Sequence, residues 1–259
     1  MTAVGTAEAR AGYGRQGDHM ENPYQTPAAE VIAAPPAHTA WAFKDPTWLT
    51  WACRACLVAG ALVSLLMIAV MARQYSLFEA AEANGLTVDD VYAESGLIFL
   101  AAALLQFVTM VSSFVFIGMW IYRAAWNGRA FAGARQLDFT PGWSVGWYFL
   151  PIANLWKPYQ AMKEIWRASA RPDKVDAAEV PGWLPLWWFL WLAFSFTSNF
   201  ASRTSWRAQT PEAEMNAALA SITCDAINVP LCLVLLVIIT RVHRMQWQRQ
   251  TERLQALAG

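Results

Sequence analysis

Charged residues are scarce in this chain of 259 residues. They make up 15% of the sequence, whereas average soluble domains carry about 25%. The shortfall is concentrated in long uncharged blocks, which are typical of membrane proteins rather than of soluble proteins with large cores. Lys and Arg together number 19, as do Asp and Glu, so there is no net charge to attract nucleic acid. We therefore expect no nucleic-acid partner.

The sequence also lacks the residue patterns on which metal binding and common catalysis depend. Of its three histidines, His19 and His38 lie in the predicted N-terminal tail, and His243 follows the last predicted span. The pair Cys53 and Cys56 lies in an apolar block, without a second such pair or a nearby histidine to complete a tetrahedral site. The HExxH and P-loop motifs are missing, and no GxGxxG motif opens a predicted helix. We predict no metal, no cofactor and no catalytic residue, and hence that the protein is not an enzyme.

Long apolar blocks are present instead, and four of them have the length of a membrane-spanning helix. About 20 apolar residues suffice to cross a bilayer. The third block gathers four Trp in its N-terminal half, as an aromatic belt at a membrane interface does. The predicted spans are residues 48–72, 96–122, 182–202 and 215–240. The predicted fold class is an all-α integral membrane protein with four transmembrane helices.

The flanking segments differ in composition from these blocks. Residues 1–43 are rich in Ala, Gly and Pro and contain few large apolar side chains, so a disordered tail is predicted. Residues 44–249 form the predicted membrane domain, and residues 250–259 form a C-terminal tail. An acidic loop is expected at residues 73–95, between the first two spans.

A fifth apolar stretch, residues 140–168, is interrupted by prolines. We predict a helix over residues 142–150, a break at residues 151–154 and an amphipathic return helix to about residue 168. The break is marked by Pro151, Asn154 and Pro158, and Asn154 is the nearest side chain for satisfying the freed backbone groups. The stretch is either a re-entrant segment or a kinked helix lying at the interface with no special role.

The distribution of Lys and Arg predicts how the chain is threaded. Cytoplasmic flanks of membrane proteins carry an excess of these residues. If residues 140–168 do not cross, four spans place 15 Lys and Arg on one side and 3 on the other. If they cross, the two sides hold 8 and 10. The first arrangement is favoured, with both termini in the cytoplasm.

The return helix is basic and aromatic, which suits a surface of anionic lipid. Its predicted lipid-facing residues are Trp156, Lys157, Lys163 and Arg167. The same charges also agree with a purely topological role, because they follow the positive-inside bias.

Asp225 is the costliest residue of the predicted spans, because a central Asp raises the insertion free energy by about 2.5–3.5 kcal/mol. Such a residue usually faces the bundle interior and has a partner. Arg203 and Arg207 lie at the outer end of the third span, and Asn199 precedes Arg203 by one turn. We predict an ion pair between Asp225 and one of these arginines. It serves either as a clamp between the third and fourth spans or as a polar site open to the outside.

Three short patterns carry a resemblance to a known family. They are PGW-x-VGW-x-F-x-PIANLW-x-P (141–158), EIWRAS (164–169) and SN-x-x-SR-x-S-x-R (198–207). Together with the acid at Asp225, they resemble a bacterial integral-membrane family catalogued as domain of unknown function 4328. The resemblance extends over about residues 48–249. It implies a multi-spanning bacterial membrane protein and no particular activity.

These observations favour a structural or interaction module in the bacterial inner membrane. The predicted partners are the lipid bilayer and either another membrane protein or a second copy of the chain. The alternative is a small transporter or channel with its polar site around Asp225. Its thin polar lining, one acid among four spans, favours the module.

Overall fold

The structure is a computed structural model that describes residues 41–258. Of these residues 85% are helical, and no strand occurs among them. The predicted tail comprises residues 1–43, and residues 1–40 of it lie outside the described residues. Within residues 41–258, six α-helices follow one another: α1 (Thr47–Asn84), α2 (Val88–Ala132), α3 (Pro141–Gly146), α4 (Lys157–Ala170), α5 (Trp183–Ser205) and α6 (Pro211–Ala258).

Three of these helices, α1, α2 and α6, are long and apolar enough to cross a membrane. They contain three of the four predicted spans and extend beyond them at both ends. Helix α5 covers the remaining predicted span with 23 residues. It is less apolar, because it combines four Trp with Ser, Thr and Asn. The fourth crossing therefore stays a prediction.

The acidic loop predicted at residues 73–95 is wrong, because helices α1 and α2 fill most of this stretch. Helix α1 ends at Asn84 and is capped by Gly85, whose φ of 68° lies in the left-handed region. Helix α2 starts after Thr87, which forms a capping box with Asp90. Only three residues separate the two helices. The buried side chains of Phe78 and Val91 hold their ends together.

Helix α1 packs between α2 and α6, and α5 packs on α6. Gly60 of α1 lies close to α6, where a Cβ atom would stand 3.5 Å from Cys232 Sγ. The largest core lies toward the end of the bundle where α1 begins and α6 ends. It includes buried side chains of five helices: Leu49, Trp120, Met162, Leu184, Trp187, Ile238 and Val242.

The proline-interrupted stretch forms a broken helical segment. Helix α3 continues as a 3-10 turn over Trp147–Phe149, a second 3-10 turn covers Ala153–Leu155, and α4 follows. The predicted break at residues 151–154 thus overlaps the start of the second turn, and α4 ends two residues later than predicted. Gly128 lets α4 approach α2, since a Cβ atom there would lie 3.3 Å from the Ala168 Cβ.

The residues before α1 are held against α2. The Trp41 ring lies 4.2 Å from that of Trp126, centroid to centroid. Lys44 exchanges two backbone hydrogen bonds with the Asn127 side chain, each of 2.9 Å. These contacts place residues 41–46 on the same end of the bundle as the main core.

A buried polar network links three helices at this end. Asn127 Nδ2 of α2 donates to Gln246 Oε1 of α6 at 3.1 Å. Gln246 Nε2 donates to the Ala124 carbonyl and to Ser169 Oγ of α4, both at 3.0 Å. Asn127, Ser169 and Gln246 are almost fully buried, so the hydrogen bonds replace those with water. The network fixes α4 against α2 and α6.

Replacing Asn127 with Ala is expected to destabilise this end of the bundle. The variant leaves the Lys44 backbone groups and Gln246 Oε1 without their partner. An unpaired buried polar group costs about 1–3 kcal/mol. We expect a loss of unfolding free energy of at least this size, measured by thermal and denaturant unfolding in detergent.

Asn84→Ala is the matched control, because the Asn84 side chain is exposed and donates only to Ala80 of its own helix. This variant is expected to unfold within about 0.5 kcal/mol of the wild type. Equal stability of the Asn127→Ala and Asn84→Ala variants would contradict the role given to the network.

Candidate functional site

Asp225 forms the centre of a polar cluster between helices. It lies on α6, and 7% of its surface is exposed. Its Oδ1 accepts hydrogen bonds from Ser64 Oγ of α1 at 2.8 Å and from Gln106 Nε2 of α2 at 3.3 Å. Asn228 Nδ2, one turn further along α6, donates to Ser64 Oγ at 2.9 Å. The cluster therefore joins three helices through side-chain hydrogen bonds.

The ion pair predicted between Asp225 and Arg203 or Arg207 is not formed. Both arginines are exposed, and neither of the two salt bridges within residues 41–258 involves Asp225. Asn199 is also exposed and donates to the Ser195 carbonyl of its own helix at 2.8 Å. The reason is geometric, because Asp225 projects from α6 toward α1 and α2 rather than toward α5.

The three residues of the predicted break have different environments. Pro151 is exposed in the turn. Pro158 is buried at the second position of α4, where a backbone N–H would have no acceptor within the helix, so proline loses no hydrogen bond there. The Asn154 N–H donates to the Leu150 carbonyl at 2.8 Å. Asn154 Oδ1 is buried and has no hydrogen-bond partner among the described residues. The Asn154 Oδ1 therefore does not take the expected role, and the N–H groups of Asn154, Leu155 and Trp156 donate to nearby backbone carbonyls instead.

The predicted lipid-facing residues extend from the residue before α4 to its last turn. Trp156 is exposed, and Lys157 Nζ lies 5.6 Å from the Trp147 ring centroid. Lys163 and Arg167 are half-buried. The Arg167 Nε is fully covered and has no acceptor among residues 41–258. Contact of these four residues with lipid stays a prediction.

Glu164 and Arg129 hold the chain segment that leads into α3. The Glu164 carboxylate accepts the N–H groups of Asp138 at 2.7 Å and of Phe139 at 3.1 Å. Arg129 donates to the carbonyls of Phe139, Leu137 and Ala134. Burial raises the pKa of Glu164, against a lowering by its two backbone donors. The Glu164 carboxylate therefore binds the backbone and forms no salt bridge with its neighbours Lys163 and Arg167.

Sequence reasoning missed the partners of the polar residues. Gln106 and Asn228 stand out as polar residues inside apolar blocks, and their composition alone marks them as candidates. Ser64 carries no such signal, because serine is common in membrane helices. Glu164 and Arg129 look like ordinary interfacial charges until the structure shows what they bind.

The cysteines do not form a site among the described residues. All four are free. Cys53 Sγ donates to the Phe116 carbonyl at 3.2 Å, so this side chain packs between α1 and α2. Within residues 41–258 no group of three or more His, Cys, Asp or Glu is placed to hold a metal ion.

A protein-family model matches more than half of the chain. The model of the family described as Domain of unknown function (DUF4328) matches residues 83–244. These residues include the broken segment, the Glu164 clamp and Asp225, while most of α1 precedes them. No curated protein and no solved structure matches the chain. The match covers more than half of the chain, which therefore belongs to this family.

Replacing Glu164 with Gln is expected to loosen the segment before α3. Glutamine keeps one oxygen acceptor and turns an NH₂ group toward the other backbone N–H. The unpaired group costs about 1–3 kcal/mol. We expect a lower unfolding free energy in detergent, together with increased protease cleavage near Asp138.

Asp173→Asn provides the control, because Asp173 is an exposed acid three residues beyond α4. It is expected to leave both stability and cleavage unchanged. A Glu164→Gln variant with wild-type stability and cleavage would show that the carboxylate does not hold the segment.

Proposed function

We propose that this member of the DUF4328 family is a multi-spanning protein of the bacterial inner membrane that acts as a structural or interaction module. The observation that carries the proposal is the bonding of Asp225 to Ser64 and Gln106. An Asp in the middle of a membrane helix costs about 2.5–3.5 kcal/mol to insert. Here its hydrogen bonds go to neighbouring helices, which favours a clamp over a site for passing solutes.

The threading that belongs to this proposal has four crossings, with α5 as the fourth and both termini in the cytoplasm. Helix α5 supports it with an uncharged stretch from Trp183 to Ser202 that packs along α6. The start of α1 lies beside the end of α6, since Thr50 Oγ1 and His243 Nδ1 are 3.2 Å apart. Helix α4 contacts the same end through Ser169. This end collects most Lys and Arg, in agreement with the positive-inside bias.

The partners in this proposal are the bilayer and a second membrane helix, from another protein or from a second copy of the chain. Helix α2 supplies the widest exposed apolar surface for either. Its exposed side chains include Leu97, Leu104, Phe107, Val111 and Phe114. No catalytic step is part of the proposal.

The proposal is tested by two variants that both remove the charge of Asp225. Asp225→Asn keeps an oxygen acceptor for Ser64 and Gln106, whereas Asp225→Leu does not. Interhelical hydrogen bonds in membranes contribute about 0.6–1.7 kcal/mol. We expect the unfolding free energy of Asp225→Leu in detergent to be lower than that of Asp225→Asn by about 0.6–1.7 kcal/mol, because Asp225→Leu loses the hydrogen bonds to Ser64 and Gln106.

Thr223→Ala serves as the control on the same helix, because Thr223 is exposed and bonds only to Leu219 of α6. It is expected to behave as the wild type. The transporter alternative makes the opposite prediction. Proton or solute flux into vesicles that is lost in Asp225→Asn, with stability unchanged, would contradict the module.

The threading is tested by single cysteines in a background that lacks the four native ones. We expect Asp173→Cys, in the linker after α4, to react with a membrane-impermeant thiol reagent only after the cells have been permeabilised. Ser205→Cys, at the end of α5, is expected to react from outside in intact cells. Labelling of Asp173→Cys in intact cells would overturn the four-crossing arrangement.

A further inference from the structure

An open cleft of about 540 Å³ lies between the start of α1 and the last part of α6. Arg54 of α1 forms one wall. The other wall is a single face of α6, from Thr240 through His243 and Arg244 to Glu252. The cleft is separate from the Asp225 cluster, which lies about 22 Å further along α6 from Thr240 at 1.5 Å per residue.

The fixed charges of the cleft are mainly positive. Arg54 and Arg244 face it from different helices, and the acid at its far end, Glu252, is paired with Arg249 at 3.0 Å. Arg54 has no acidic partner within residues 41–258, and its Nε is covered without an acceptor. Its guanidinium carbon lies 5.1 Å from the Trp51 ring centroid. Because its charge is not neutralised by an acidic side chain of the described residues, Arg54 can bind an anion in the cleft.

The depth of the cleft places it at a membrane surface. Arg54 lies seven residues into α1, or about 10 Å along its axis. Trp48 and Trp51, on the preceding turns, are 54% and 64% exposed. Exposed Trp at a helix end is typical of the membrane–water interface.

Two exposed apolar strips run from the cleft toward the middle of the spans. On α1 the strip follows Arg54 at helical spacing, through Val58 and Leu62. On α6 it precedes Arg244, through Val237 and Leu233. Residues three, four or seven apart lie on one face of a helix, so each arginine stands at the head of an apolar strip. A soluble anion makes no use of such strips, whereas a lipid with an acyl chain does.

We propose that this cleft binds the phosphate headgroup of an anionic phospholipid. Arg54 and Arg244 bind the phosphate oxygens, since guanidinium groups form paired hydrogen bonds with phosphate. The hydroxyl of Thr240, one turn before Arg244, lies on the same wall and supplies a further donor. The acyl chains lie along the strips of α1 and α6.

The test measures lipid binding to the full-length protein in nanodiscs of phosphatidylcholine that contain increasing phosphatidylglycerol. Bound lipid is counted by native mass spectrometry after release into detergent. We expect retained phosphatidylglycerol in the wild type. Loss of a hydrogen-bonded ion pair costs about 1.5–3 kcal/mol, or at least tenfold in affinity. Arg54→Gln and Arg244→Gln are each expected to weaken retention at least tenfold.

Arg241→Gln is the matched control. Arg241 is exposed on α6, three residues before Arg244, and does not line the cleft. It is expected to retain phosphatidylglycerol as the wild type does. Equal weakening by Arg241→Gln and Arg244→Gln would mean general attraction to anionic lipid and would overturn the site.

Two further arms keep the outcome unambiguous. Arg244 is exposed, so Arg244→Gln tests the site even if Arg54→Gln impairs folding. Inorganic phosphate is added at equal concentration to the detergent-released protein. Displacement of phosphatidylglycerol by phosphate alone would show a site for a free anion and would overturn the lipid assignment, as would the absence of retained phosphatidylglycerol.

Discussion

The side-chain amide of Gln246 lies fully buried where α2, α4 and α6 meet, and all of its hydrogen bonds go to protein groups. An amide in such surroundings is costly unless each donor and acceptor is paired. Its partners, Asn127 and Ser169, therefore fix the relative positions of three helices at once. Asn127 in turn holds the chain before α1 through the backbone of Lys44. The broken segment stays at this end of the bundle because α4 is part of the same network.

The features that follow from local sequence were predictable. Apolar blocks locate the long helices, and Pro151 and Pro158 locate the break between α3 and α4, because both effects act within a few residues. The helical extensions of α1 and α2 were also signalled, by Gly85 and by Thr87 with Asp90, although their acidic composition suggested a loop. These cap signals outweigh composition, since they set where a helix starts and stops.

Partners across the bundle were not predictable, because a single sequence does not give the register between helices. Ser64 and Asp225 are 161 residues apart. Charge complementarity pointed to Arg203, but the rotation of α6 decides the matter and turns Asp225 toward α1. The same holds for Glu164, which stands beside Lys163 and three residues before Arg167 in the sequence. Its actual partners are backbone N–H groups 25 and 26 residues away.

Helix α6 shows how these local and long-range effects combine. Pro230 lies inside it and removes one backbone hydrogen bond, so the helix is weakest there. Two polar anchors lie on opposite sides of this point, Asp225 toward one end and Gln246 toward the other, and each fixes its half against other helices. The turns that carry Gln246 expose Arg244 on the opposite face. Because Gln246 and Arg244 lie on opposite faces of the same helix, the hydrogen bonds of Gln246 that hold α4 also fix the position of Arg244 in the cleft.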